Sequence, residues 1–316
     1  MKRILPLMLA TLASCGLDGK TDAFRNGFPR KSTVELKVPT SATSQGLSGQ
    51  SSRQDGLEGE LAEFYTFTRG VTVTVNGGVA ATLSLIERIS EYPPTSMTTD
   101  TAVWGPHTDP LSPNTWRFTV TRRADNDYSY VLEGKAKTAP DADFVAILSG
   151  AHVSAGKNLG NGSFLLDWDA AQKLPEHEAT VGTAQVSYAR PASASTVVVD
   201  VDFARVKDGD TGQIVDAKYR FRQTPAQGGS LEFQLNKNFI LGSSVELLTV
   251  RSRWQETGAG RSDVQLTGGD LTAPATASEC WDANFMSRSF INSFDAQKAW
   301  GNSAACTFAT AEYASL

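Results

Sequence analysis

The three histidines of this sequence, His107, His152 and His177, are the side chains best suited to acid–base or metal chemistry near neutral pH. No two of them lie at helical or strand spacing, so a histidine metal site would depend entirely on tertiary contacts. The motifs G-x-S-x-G, H-E-x-x-H, C-x-x-C and G-x-G-x-x-G, which mark common catalytic and nucleotide sites, do not occur in the sequence. We therefore expect no catalytic residue, no metal and no cofactor, and the sequence assigns no ligand-binding residue.

Carboxylates lie close together at three places, but local structure explains each of them. Asp167 and Asp169 precede a predicted helical turn, and we assign the role of its N-cap to Asp169. The KDGDTG run at 207–212 lacks the acidic spacing of an EF-hand loop and predicts a hairpin turn. The Glu-His-Glu run at 176–178 is interpreted as a solvated connection. Carboxylates that converge from distant strands, as in an exported hydrolase, remain an open alternative.

The N-terminus has the parts of a secretory leader in order. A basic pair at 2–3 precedes an apolar stretch at 4–12 that is too short to span a bilayer. The sequence LASC at 12–15 then resembles the lipobox of bacterial lipoproteins, which implies that residues 1–14 are removed and that Cys15 is acylated. More than one acyl chain would give stable membrane anchoring. A chance cysteine at this position is the alternative.

Composition and charge limit the possible partners. The chain is 40% hydrophobic and 20% charged, as in ordinary folded proteins, and it has no run of 18 apolar residues. Its formal net charge of −5 opposes nucleic-acid binding, which needs a basic surface. The residue after Cys15 is Gly16, not the Asp that enteric bacteria use for inner-membrane retention. An exported protein anchored to the outer membrane is therefore favoured.

The two remaining cysteines, Cys280 and Cys306, are expected to form a disulfide if the chain is exported to an oxidising compartment. In the loop-entropy model such a bond contributes about 3 kcal/mol. Two buried free thiols are the alternative.

The chain before the sheet is divided into a tether and a helix. Residues 15–57 are rich in Ser, Gly and Gln and predict a flexible, lipidated tether, although a strand could lie near TVELKV. Residues 58–92 carry apolar positions three or four apart, which predicts an amphipathic helix that ends before Pro93. The alternation in VTVTVNGG favours a hairpin instead, and a helix could break near Gly77.

From 101 to 270 the apolar period becomes two, which predicts about ten strands joined by short turns. We expect a mostly β (α+β) domain over 58–316, built as a single antiparallel meander. A sheet of this length would curve or form a partly open barrel, with the helix covering its apolar face. Residues 273–316 are expected to form a disulfide-pinned segment packed on that sheet.

The polar face of the later strands predicts specific charge pairs. A hairpin centred on Asp210 places Asp200 opposite Arg220 and Asp202 opposite Lys218. A second hairpin centred on Gln227 places Arg222 opposite Glu232. Arg251 and Arg253 fall on the same face one strand further on. The opposite face is apolar, as expected of a sheet that covers a core.

Short sequence stretches along the whole chain resemble those of uncharacterised lipoproteins of myxobacterial type. Examples are AEFYTFTRGV, YRFRQTP, SRWQETGAGRSDV and SECWD. This resemblance implies no known activity. The predicted arrangement is also similar in architecture to the Lol-type periplasmic carriers, which hold acyl chains in an open barrel. We expect a non-enzymatic envelope lipoprotein that binds a hydrophobic ligand or partner, with a sizeable apolar cavity. A structural or assembly lipoprotein with a fully packed core is the main alternative.

Overall fold

The architecture is one antiparallel sheet of fifteen strands, ordered as they occur in the chain. The computed structural model describes residues 21–40, 58–177, 179–209, 211–239, 242 and 244–316. The strands are β1 (Ser96–Met97), β2 (Thr101–His107), β3 (Asn114–Ala124), β4 (Asp127–Ala136), β5 (Val145–Gly156), β6 (Leu159–Asp167), β7 (Thr183–Arg190), β8 (Val197–Lys207), β9 (Ile214–Thr224), β10 (Gly228–Lys237), β11 (Glu246–Gln255), β12 (Gly260–Gly268), β13 (Ala275–Trp281), β14 (Ser287–Asn292) and β15 (Trp300–Gly301). The helices are α1 (Lys31–Val34), α2 (Glu63–Glu91) and α3 (Trp168–Ala171), together with a helical turn at 21–25.

The predicted meander is confirmed, but it has more strands than the ten expected. The region 101–270 holds β2 to β12, and the sheet then continues into the segment that we expected only to pack against it. Sequence periodicity misses β13 because its alternation from Ala275 to Ser278 involves only small side chains and stops at Glu279, which is polar but buried. Within the part of the chain that the structure describes, β1 at one edge pairs only with β2 and β15 at the other edge pairs only with β14, so this sheet does not close into a barrel.

Helix α2 crosses one face of the sheet, which we call the inner face. The predicted helix is confirmed and is continuous through Gly77, so the two alternatives left open by the sequence, a break near Gly77 and a hairpin, are wrong. Leu83 and Ile86 are fully buried, in one cluster with side chains from β2 to β11. Near the start of the helix, Tyr65 stacks on Phe285 with ring centroids 4.3 Å apart. Among the described residues, no helix is both long and apolar enough to cross a membrane.

The predicted tether differs from the structure between residues 21 and 40, which pack on the core. Phe24 and Phe28 are each 1% exposed, and the ring of Phe28 meets that of Phe118 edge-on at 5.0 Å. Asn76 of α2 accepts the backbone N–H of Leu36 at 3.0 Å and donates to its carbonyl oxygen at 2.9 Å. A few well-spaced apolar side chains thus hold a segment whose average composition is polar. Residues 1–20, with the predicted leader and Cys15, and 41–57 lie outside the described residues.

Candidate functional site

The predicted disulfide between Cys280 and Cys306 is present, with Cα atoms 5.7 Å apart. It joins β13 to the C-terminal segment, which then runs over the outer face of the sheet, the face opposite α2. Cys280 is 1% exposed, so this bond attaches the segment to a buried point of the sheet.

The three histidines are not brought together into a site. His107 is exposed and lies 3.3 Å from Asp109, whereas Nδ1 of His177 lies 2.8 Å from the carbonyl oxygen of Leu174. Only His152 points into the core. Within the described ranges, no group of three or more His, Cys, Asp or Glu side chains is placed to hold a metal ion.

His152 belongs to a buried polar cluster on the inner face. Its Nδ1 lies 2.8 Å from the hydroxyl of Tyr188, and burial lowers the pKa of the imidazole to about 4. Burial likewise raises the pKa values of Tyr188 and Tyr130. A Cβ atom on Gly160 would lie 2.3 Å from the imidazole, so only glycine leaves room for the ring. At neutral pH the cluster is uncharged, and its chemistry suits hydrogen bonding within the core rather than proton transfer.

Local structure explains the other carboxylates, with one correction. The N-cap of α3 is Asp167, whose Oδ1 accepts from the backbone N–H of Ala170 at 2.8 Å. Asp169, to which we assigned that role, instead accepts from Gly182 at 2.9 Å. Asp208 sits in the predicted turn. Burial raises the pKa of its carboxyl group, but hydrogen bonds from Thr211 and Lys237 outweigh burial and hold it at about 2.

The N-terminus of α2 meets a buried carboxylate that sequence analysis misses. Glu279 of β13 is 1% exposed, and its Oε2 accepts from the backbone N–H of Phe64 at 2.7 Å. Burial raises the pKa of this carboxyl group to about 7, although hydrogen bonds from the helix N-terminus and from Ser287 act in the opposite direction. A glutamate facing the core between Ala277 and Trp281 breaks the apolar inner face, and that interruption was the available signal.

The C-terminus of α2 is held by Arg25, which belongs to residues 21–40, here called the N-terminal segment. Its guanidinium donates to the carbonyl oxygens of Ser90 at 2.8 Å and of Glu91 at 3.1 Å. The last carbonyl groups of a helix carry partial negative charge, and its first N–H groups carry partial positive charge. A cation and an acidic group from distant parts of the chain therefore complement the two ends of α2.

One apolar space lies beneath α2, between the helix, residues 31–36 and strands β7 and β8. Its volume is about 20 Å³, and Val75, Val79, Val186 and Val199 are among the residues that line it. Such a volume accommodates about one water molecule and no acyl chain. A second space of about 500 Å³ is an open surface groove, lined by Arg30, Lys31, Lys157, Glu35 and Glu87 among others. Its mixed charges favour no particular ligand.

The outer face carries a row of alternating charges across five strands. Asp200 lies opposite Arg220, and Asp202 opposite Lys218, as predicted. The predicted pair of Arg222 with Glu232 is wrong by two residues, because the β9–β10 hairpin turns about Ala226 rather than Gln227. The complete row of directly opposed residues, from β8 to β12, is Asp200, Arg220, Glu232, Arg251 and Asp263.

The row ends in a buried charge cluster. Asp263 is 0% exposed, and its carboxylate accepts from Nε of Arg261 at 2.7 Å, from Nη2 of Arg253 at 3.2 Å and from the hydroxyl of Ser278 at 2.6 Å. The C-terminal segment covers this cluster. Charged residues two apart on β11 and again on β12 were the sequence signal for it.

Comparison with known proteins adds no identification: no protein-family model, no curated protein and no solved structure matches this chain.

Proposed function

We propose that the protein is a lipid-anchored lipoprotein of the cell envelope, on the outer membrane, that works by binding a protein partner rather than by catalysis. One observation carries the choice of a protein partner over a hydrophobic ligand. Helix α2 and residues 24–36 pack on the inner face, and the apolar space beneath the helix has a volume of only about 20 Å³. A carrier of the Lol type needs room for acyl chains between helix and sheet. The geometry favours the assembly lipoprotein with a packed core, whose partner binds at the surface.

The N-terminal segment supports a short distance between the domain and the membrane. Thr21 lies at the β1 edge of the sheet, where its hydroxyl contacts the sulfur of Met97. The residues between Cys15 and Thr21 span about 20 Å at full extension. A lipid on Cys15 would therefore hold the β1 edge close to the bilayer, instead of letting the domain move at the end of a long tether.

Metabolic labelling with an alkyne fatty acid in a bacterial host tests the anchor. The wild-type chain is expected to carry label and to fractionate with membranes, and the Cys15→Ser variant is expected to lose both properties. Label that remains on Cys15→Ser would refute lipidation at this residue.

Native mass spectrometry of the exported Cys15→Ser chain, purified without detergent, tests the packed core. A mass without adducts is expected. A stoichiometric adduct with the mass of a phospholipid or fatty acid would refute the packed-core proposal and restore the carrier hypothesis, in which α2 moves to admit the ligand.

A further inference from the structure

The last ten residues, 307–316, which we call the tail, lie on the outer face without forming a helix or strand. Side chains of the sheet hold their main chain instead. Nη1 of Arg261 donates to the carbonyl oxygens of Phe308 at 3.2 Å and Ala309 at 3.1 Å. Nη2 of Arg253 donates to the carbonyl oxygen of Thr310 at 2.8 Å. These contacts hold the tail through its main chain and not through its side chains.

One tail side chain adds a specific charged contact. The carboxylate of Glu312 lies 3.1 Å from Arg251 and 2.5 Å from Arg253, and its backbone N–H donates to Asp263 at 3.0 Å. The ring of Phe308 faces the guanidinium of Arg253, 4.9 Å from its centroid. The tail is therefore held as a short peptide with an acidic residue and an aromatic residue four positions before it.

The surface beneath the tail is a built site. Arg261 is 3% exposed and Arg253 is 9% exposed, and both are fixed by the buried carboxylate of Asp263. Nevertheless, the Nε atoms of Arg251 and Arg253 are buried and have no hydrogen-bond partner among the described residues. A buried donor without an acceptor is costly. The tail therefore leaves part of this site unsatisfied.

The charges of this site indicate which chemical group would bind there better than the tail does. Without the tail, three arginines would face the two carboxylates of Asp263 and Glu232. Guanidinium groups bind carboxylates through short, charge-assisted hydrogen bonds. The site therefore fits a peptide segment with at least one carboxylate.

We propose that this outer-face site binds an acidic peptide segment of a partner protein, and that the tail is its resident competitor. The inference deepens the proposed function, because it rests on the protein being a binding protein and names the surface used. The disulfide at Cys306 keeps the displaced tail attached next to the site. The attached tail competes at a high effective concentration, so a partner must offer better contacts than the tail does.

The test uses the Cys15→Ser chain, with and without residues 308–316, and a fluorescent peptide with the sequence TFATAEYASL of residues 307–316. The truncated chain keeps Cys306 and its disulfide. Fluorescence anisotropy is expected to show binding to the truncated chain and roughly tenfold weaker binding to the full chain, which the tail blocks. A peptide with Glu312→Gln is expected to bind roughly tenfold more weakly than the unchanged peptide, because it loses a charge-assisted contact. Equal binding of both peptides, or no binding to a folded truncated chain, would overturn the proposal.

A second variant keeps the test decisive if truncation prevents folding. In the full chain, Glu312→Gln weakens the contacts that hold the tail and should increase binding of the unchanged peptide severalfold. The control Glu256→Gln, in an exposed turn, should leave peptide binding unchanged. Unchanged binding with Glu312→Gln would overturn the proposal, as would full-chain dimers formed by exchanged tails and detected by light scattering. None of these outcomes depends on lipidation, so failure here is distinguishable from failure of the proposed function.

Discussion

Replacing Glu279 with glutamine is expected to stabilise the protein more as the pH rises. Burial raises the pKa of this carboxyl group from 4.5 to about 7, so the unfolded chain releases its proton at a lower pH than the folded chain. A group with a raised pKa contributes stability that is complete below about pH 4.5 and is lost as the pH rises through about 7. Glutamine has no proton to lose, and its amide oxygen can still accept from the N–H of Phe64.

The expected effect is large compared with the stability of an ordinary domain. The difference between 4.5 and about 7 corresponds to about 3 kcal/mol, at about 1.4 kcal/mol per pKa unit. Because Glu279 is 1% exposed, solvent screens this charge little. Relative to the variant, the wild type should lose about 3 kcal/mol of unfolding free energy between about pH 4 and pH 8.

Urea unfolding of the Cys15→Ser chain at several pH values measures this difference, with Glu279→Gln compared to the exposed control Glu256→Gln. Other groups titrate equally in both chains, so subtraction isolates Glu279. A difference that does not change with pH, or a wild type that gains on the variant at high pH, would refute the reasoning. It would show that the amide groups at the start of α2 outweigh the cost of burying the charge.

Four further predictions concern the fold. Burial lowers the pKa of the His152 imidazole, so the wild type should lose about 3 kcal/mol of unfolding free energy as the pH falls from about 6.5 through 4. His152→Gln should abolish this loss, and urea unfolding at acidic pH measures the difference. Gly77→Ala should stabilise the protein by about 0.5–1 kcal/mol in thermal unfolding, since nothing lies within 4 Å of the added Cβ; destabilisation would contradict an open helix face. Leu83→Ala should cost about 2–5 kcal/mol in urea unfolding, because Leu83 is 0% exposed. Cys280→Ser with Cys306→Ser should cost about 3 kcal/mol, and an unchanged urea midpoint would contradict a stabilising bond.

The periodicity of apolar residues was sufficient to predict the elements that have one buried apolar face and one solvent-exposed polar face. The stripe through Val75, Val79 and Leu83 predicted α2 despite the glycines, because burial of one face outweighs local helix propensity. The alternation in β8 and β9 predicted the pairing of Asp200 with Arg220, because register decides which side chains face water.

Features that depend on contacts distant in the chain could not be predicted in this way. Phe24 and Phe28 lie in a polar sequence context, and they pack against aromatic side chains of β3 and β4 that are distant in the sequence. Arg25 and Glu279 complement the ends of α2 from opposite ends of the chain, and sequence spacing does not indicate such a partnership. The cluster around Asp263 requires the register of β11 with β12 and the path of the tail.

The strictly sequential strand order has a consequence for how the chain is completed during synthesis. Helix α2 is synthesised before every strand that buries it. Each new strand pairs with the strand made just before it, and the apolar face of the helix stays uncovered until those strands have formed. Glu279, whose carboxylate accepts a hydrogen bond at the start of that helix, lies on β13 and is synthesised near the end of the sheet. A chain interrupted before β13 would leave those first amide groups without Glu279 and the final edge of the sheet unpaired.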